Sequence, residues 1–239
     1  PVVLSTAVIT LDKVYYFVDE EKLNDEIKAE FNKIGIEVRN YFEIYDFVKT
    51  IQKDEVVLLD GTTVNYKLYR NIPSNVSIID APNPTFIFKA IKNEVELKNI
   101  RECHIKDGVA MTKFMYWLKT NIGKIKITEI SASDKLEQLR RSDKDCFDLS
   151  FPTISGYKEH AAMMHYSATK ESEYELEQEG MLLVDSGGQY YTGTTDITRT
   201  YILGDITEEQ KLHYTSVLRG MIRLSKAKFL YGCRGLNLD

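Results

Sequence analysis

The segment DSGGQYYTGTTDITRT, residues 185–200, constrains this chain more than any other stretch. The apolar run Met181-Leu182-Leu183-Val184 delivers Asp185 into two glycines, and Asp196 follows inside a threonine-rich, β-prone run. Apolar and β-branched residues bounded by turn formers read as two strands joined by a tight hairpin. A turn centred on Tyr190-Tyr191 would set Asp185 directly opposite Asp196, with Cβ atoms about 5 Å apart on one face. Two carboxylates so placed repel unless a cation or a shared proton relieves them. The pair therefore points to a metal site, and its residue type points to hard cations, Mn²⁺, Mg²⁺ or Ca²⁺. Zinc is less suited, because no clustered Cys/His set accompanies the aspartates. The plainer alternative stays open from spacing alone: two aspartates near glycines also serve as turn formers or solvated charges.

The rest of the chain sets the bounds. Its 239 residues, 43% apolar and 28% charged, suit one large or two ordinary globular domains rather than a disordered chain. A net charge of −5 argues against nucleic acid or an anionic membrane as partner. No apolar run approaches the roughly 18 residues of a membrane span, and no signal peptide is visible. Cys103, Cys146 and Cys233, an odd set without metal-type spacing, read as reduced thiols of a cytoplasmic protein. The chain opens on Pro1 without an initiator methionine and stops at Asp239 just after a turn signal, so it is expected to be a piece of a longer protein.

Residues 2–82 read as a small α/β domain. Strands are expected over 2–10 and 14–18 around Asp12-Lys13, then near 36–38, 55–59 and 76–79. Helices are expected over 20–34 (stopped by Gly35), 43–52 and 64–69. Pro82 and Pro84 mark the boundary, giving domains 1–82 and 83–239. In the second domain Asn93 with Glu96 forms a capping box. A long helix stopped by Gly123 follows, with His104 on its core-facing stripe. Thr128 starts another helix. A strand over 149–154 is broken by Pro152, and a further strand runs over 161–166. Thr207 with Gln210 caps a last helix to about Leu230. Helices flanking an antiparallel sheet make this domain α+β. Of the histidines, His213 reads as a surface group and His160 has no evident role. His165, ending the apolar strand before the hairpin, could reach a site on the same sheet.

PTISGY (152–157), AAMMHY (161–166), LLVDSGGQYYTGTTDITRT (182–200) and GLNLD (235–239) resemble the Xaa-Pro aminopeptidase family, or aminopeptidase P. This family groups with methionine aminopeptidase, prolidase and creatinase among the pita-bread metallopeptidases. The similarity runs from the first strand to Asp239, includes KAIKNEVELKNIRECHIKDGVA, and is strongest to the three-domain cytosolic form.

The resemblance implies a small creatinase-like α/β domain followed by the first half of a pita-bread catalytic domain. It implies two divalent cations, usually Mn²⁺ with Zn²⁺ or Co²⁺ as alternatives. Asp185 would bind one and Asp196 would bridge both, while His165 would hold substrate and the developing tetrahedral species. A further histidine and two glutamates, the remaining ligands, are expected beyond Asp239, so the 239 residues alone are expected to be inactive. GYKEHAA (156–162) departs from the family's GYGxNAA-like form but touches no metal ligand. The implied substrate is a peptide with an N-terminal Xaa-Pro, cleaved to release its first residue, and the implied assembly is a homodimer. Two competitors remain: a prolidase or creatinase-like hydrolase of the same fold, and a non-catalytic binding module that reuses it.

Overall fold

The first expected hairpin forms where turn chemistry places it. β1 (Ser5–Ile9) and β2 (Val14–Val18) pair antiparallel, Ser5 facing Val18 and Ile9 facing Val14. Between them the Thr10 N–H donates to the Lys13 carbonyl at 2.9 Å. The computed structural model describes residues 3–238; Pro1, Val2 and Asp239 lie outside the described residues. The described chain divides between Lys92 and Asn93 into two compact units.

In the first unit, α1 (Asp25–Lys33) starts on Asn24, whose side chain accepts the Ile27 N–H, and carries the chain to β3 (Ile36–Asn40). β3 pairs parallel to β2, as a strand–helix–strand crossover requires. Gly35, at φ +80°, makes the exit from α1. β4 (Val56–Leu59) and β5 (Ser77–Asp80) form a second parallel pair across α3 (Tyr66–Asn71). The helix expected over 43–52 is segmented into a 3₁₀ turn Tyr41–Glu43, a short α2 (Ile44–Phe47) and a 3₁₀ turn Val48–Thr50. Its Ile44 and Val48 still reach the core, with Phe17, Ile72 and Val76. The prolines at 82 and 84 do not end the unit. Pro84 occupies the first turn of α4 (Pro84–Ala90), where a missing N–H costs nothing, and Asn83 caps it. The division consequently falls later than the expected break at 82.

In the second unit the Asn93–Glu96 capping box is present in both directions and opens α5 (Glu94–Asn121). Gly123, at φ +72°, follows the helix end. The buried stripe of α5 is Cys103, Asp107, Ala110, Met111, Phe114 and Leu118. His104 is not on it. It is exposed, with Nδ1 on the Ile100 carbonyl at 2.9 Å, one position round from the stripe. α6 (Glu129–Arg141) starts on Thr128 as expected, with Ala132 and Leu136 buried.

The strand expected over 149–154 is instead two strands on different sheets, β6 (Cys146–Leu149) and β7 (Ile154–Tyr157), with Pro152 in the link between them. β8 (Met181–Ser186) lies between β7 and β11 (Ile197–Ile202), all antiparallel. β9 (Gly188–Tyr190) lies between β6 and β10 (Gly193–Thr194). Alternation divides the β8 side chains. Leu182 and Val184 enter a core with Phe114, Leu118, Leu136 and Tyr201, whereas Met181, Leu183 and Asp185 face the other way. The last helix, α7 (Glu208–Lys226), begins with the Thr207–Gln210 box and ends short of Leu230 at an extended Ala227. Its Leu212, Val217, Leu218, Met221 and Leu224 are exposed.

Candidate metal centre

The expected strand over 161–166 does not form. Lys158–Ala162 is a 3₁₀ turn, and both Lys158 (φ 52°) and His165 (φ 57°) adopt left-handed backbone conformations that no strand contains. His165 therefore sits on an exposed turn rather than on the sheet. Among the described hydrogen bonds none joins it to Asp185 or Asp196.

The hairpin exists, but its turn lies one residue later than expected. Tyr190 pairs with Gly193, so Tyr191 and Thr192 make the turn, and Asp185 stands opposite Thr198 rather than Asp196. Tyr190 is the reason. Its ring is buried beside Cys103 and Cys146, and its hydroxyl donates to Asp107 Oδ1 at 2.8 Å, whereas Tyr191 is 77% exposed. Desolvation, then the bond to the Asp107 carboxylate, pushes the Tyr190 hydroxyl well above the usual tyrosine range. Burial likewise raises the Cys103 and Cys146 thiols.

The corrected register keeps the parity of the strands. Asp196 precedes Thr198 by two positions, in the link between β10 and β11, and a ladder continued through that link would make the two carboxylates diagonal neighbours, for which about 7–8 Å is typical. Repulsion at that separation is weaker than in direct opposition, and Thr198 Oγ1 donates to Asp185 Oδ1 at 2.7 Å. The direct opposition of Asp185 and Asp196 on which the expected electrostatic cost rested is thus not formed. Asp185 is half-buried and Asp196 exposed.

Gly187 fixes the crossing of the two chains. A Cβ there would meet the Thr195 carbonyl oxygen at 1.9 Å and Ser150 Oγ at 2.2 Å. Ser150 Oγ itself donates to that same carbonyl at 2.9 Å, and the Gly188 N–H donates to Thr195 Oγ1 at 2.9 Å. Asp185 and Asp196 therefore leave from two strands locked together at a point where only glycine fits. On the same face of β8 a cavity of about 530 Å³ is lined by Lys158, Ala161, Glu179, Leu183, Thr200 and Asp205. The donor set is carboxylate oxygen on a rigid hairpin, which suits hard divalent cations. Among the described residues no three His, Cys, Asp or Glu side chains gather around one point.

Two features were missed in the sequence. Asp107 and Arg140, both fully buried, form a bidentate ion pair (2.7 and 3.1 Å) beneath Tyr190. The readable signal was an aspartate on the apolar stripe of α5. Glu129 and His160 are also buried and bonded to each other at 2.9 Å. Nothing local in the sequence marks that pair.

A hairpin carrying two carboxylates on a mixed helix-and-sheet unit makes metal-dependent hydrolases the class to compare. Residues 98–239 match the profile of metallopeptidase family M24, and residues 1–96 match a creatinase/prolidase N-terminal domain. The chain belongs to metallopeptidase family M24, and comprises a creatinase-type N-terminal domain and the first part of a pita-bread domain. Over its whole length it is 32% identical to "Aminopeptidase P1" of Arabidopsis thaliana, covering 44% of that protein. It is 38% identical to "Probable Xaa-Pro aminopeptidase P" of Verticillium alfalfae, covering 40%. All of the chain superposes on 40% of X-prolyl aminopeptidase from Caenorhabditis elegans, a cytosolic enzyme with a di-nuclear active site, at 32% identity and TM-score 0.90. The prolidase of Pyrococcus furiosus, at 20% identity and TM-score 0.66, shares the fold. The chain spans about two fifths of the length of the curated relatives.

Proposed function

We propose that the protein to which this chain belongs is an Xaa-Pro aminopeptidase with two divalent cations, Mn²⁺ first among them, at a site begun by Asp185 and Asp196. The observation that supports the reading is the register that sets Asp185 opposite Thr198, two residues after Asp196, on a hairpin locked at Gly187 inside DSGGQYYTGTTDITRT. In this reading the first unit is the middle, creatinase-like domain and the second is the opening half of the catalytic domain. The other ligands come from the part of the relatives that this chain does not span.

Asp185 would hold one cation and Asp196 both. Thr198 engages Asp185 Oδ1, so it orients that carboxylate and leaves Oδ2 for the cation. When bound, such a pair lowers the pKa of water and stabilises negative charge on an attacked carbonyl. His165 Nε2 or Nδ1 would donate to the carbonyl oxygen of the first residue as charge develops there, an interaction that counts most in the transition state. The leaving group is the proline nitrogen. A cytosolic homodimer is part of the same proposal.

The test uses the full-length protein loaded with Mn²⁺ and three substrates: a peptide beginning Xaa-Pro-Xaa, an Xaa-Pro dipeptide, and a peptide with alanine in second place. Release of the first residue from the longest Xaa-Pro substrate, and little from the alanine peptide, is expected. Cleavage confined to the dipeptide would make the protein a prolidase. No cleavage of any would overturn the assignment.

A further inference from the structure

The carboxylate of Glu129, the first residue of α6, is fully buried and serves four donors. Oε1 accepts the Tyr157 N–H at 2.7 Å and His160 Nδ1 at 2.9 Å. Oε2 accepts the Tyr166 hydroxyl at 2.9 Å and the Tyr174 N–H at 3.0 Å. His160 Nδ1 must carry the ring proton to serve this acceptor. The imidazole is stacked against Tyr174, with ring centroids 3.8 Å apart, and lies 4.5 Å from the Tyr166 ring. A buried carboxylate is costly unless it is hydrogen-bonded. Four donors and the positive end of the α6 dipole offset that cost.

The donors share a location. All lie in the segment from Tyr157, the last residue of β7, to Tyr174, and beyond Tyr157 that segment contains no β-strand and so has no ladder to fix its path. Two of the anchors, His160 and Tyr166, bracket residues 161–165. Within that bracket Met164 is 87% exposed, and His165 takes its left-handed backbone conformation immediately before the anchored Tyr166. A non-glycine residue in that region costs about 1–3 kcal/mol and persists only where its surroundings over-determine it. The Tyr166 N–H closes a turn around Met164 and His165 on the Met163 carbonyl at 3.2 Å, and the two anchors that flank this turn both end on Glu129.

We propose that Glu129 is a positioning residue for the peptidase reaction. Gripping His160 and Tyr166 on either side of the turn, it holds His165 in the one backbone conformation that presents the imidazole to substrate. The inference rests on the reading of His165 as the substrate-contacting group.

The test is a double-mutant cycle on the full-length, Mn²⁺-loaded protein, with kcat and KM measured separately. His165→Ala should lower kcat/KM on the Xaa-Pro peptide. Glu129→Gln, which turns half of the acceptor into a donor, should lower it by up to about 100-fold, the scale of a misplaced reacting group. Tyr166→Phe keeps the ring and removes one anchor, so it remains interpretable if Glu129→Gln folds poorly. It should show a smaller loss in the same direction with bound Mn²⁺ unchanged. In a His165→Ala background both losses should disappear, which a merely structural role would not produce. Losses that persist in that background, or both variants at wild-type kcat/KM, would overturn the role of Glu129. A His165→Ala protein with wild-type kcat/KM would overturn the reading of His165 itself, and the inference with it.

Discussion

Replacing Asp107 with alanine removes one side chain that three structural facts depend on. Its carboxylate receives Arg140 Nε at 2.7 Å, Arg140 Nη2 at 3.1 Å and the Tyr190 hydroxyl at 2.8 Å, with Asp107 and Arg140 wholly buried. The variant leaves a guanidinium uncompensated in the core, which costs about 3–5 kcal/mol. The melting midpoint of the unit should then fall by about 6–20 °C, at roughly 2–4 °C per kcal/mol for a unit of this size. Tyr190→Phe keeps the ion pair and loses one bond to a charged acceptor, so its cost is smaller, about 1.5–3 kcal/mol. Replacing all three groups together, as Asp107→Leu, Arg140→Met and Tyr190→Phe, should recover most of the loss, because a buried pair exchanged for apolar groups is often neutral. Differential scanning calorimetry on the full-length protein reads each transition. An Asp107→Ala protein that melts within about 2 °C of wild type would refute the reasoning. The tyrosine that sets the hairpin register would then not be seated on a buried ion pair.

Other outcomes follow from the same geometry. Gly187→Ala puts a Cβ into the Thr195 carbonyl, where the obstacle is backbone and cannot rotate away. It should destabilise by about 1–3 kcal/mol or more and loosen metal binding, and normal metal uptake by calorimetric titration would contradict the locked crossing. Asp145 is held below the usual carboxylate range by its hydrogen bond to Lys106, whose own pKa is raised in turn. A depressed carboxylate stabilises the fold above its unfolded pKa of about 3.9 and loses that contribution as pH falls through the folded value. The wild type should therefore lose more stability than Asp145→Asn between pH 4 and pH 2, as read by urea titration at each pH. The 239-residue chain alone should not cleave Xaa-Pro peptides, and turnover by the purified chain would sink the claim that further ligands are needed.

Capping is the part of this fold that local sequence specified. The boxes at Asn93–Glu96 and Thr207–Gln210 form as read, because each is a bargain between residues three apart. The alternation along β8 that sends Leu182 and Val184 into the core and Asp185 away from it was equally readable. The pairing of Asp185 across the hairpin was not. Two adjacent tyrosines compete for the turn, and what decides is a pocket formed by Cys103, Asp107 and Cys146 from distant parts of the chain. The same holds for His165. AAMMHY has the composition of a strand, yet its Tyr166 and the preceding His160 are bonded to Glu129, 37 and 31 residues away. A partner that far off leaves no trace in local periodicity. The exposed apolar residues of α7 show the converse: the pattern was legible, but none of the described residues buries it.

The most direct test of the account is an anomalous difference map from crystals of the full-length protein grown with Mn²⁺. Two peaks are predicted, both beside the Asp196 carboxylate and one also beside Asp185. Peaks elsewhere in the molecule, with neither aspartate in contact with a metal, would contradict it.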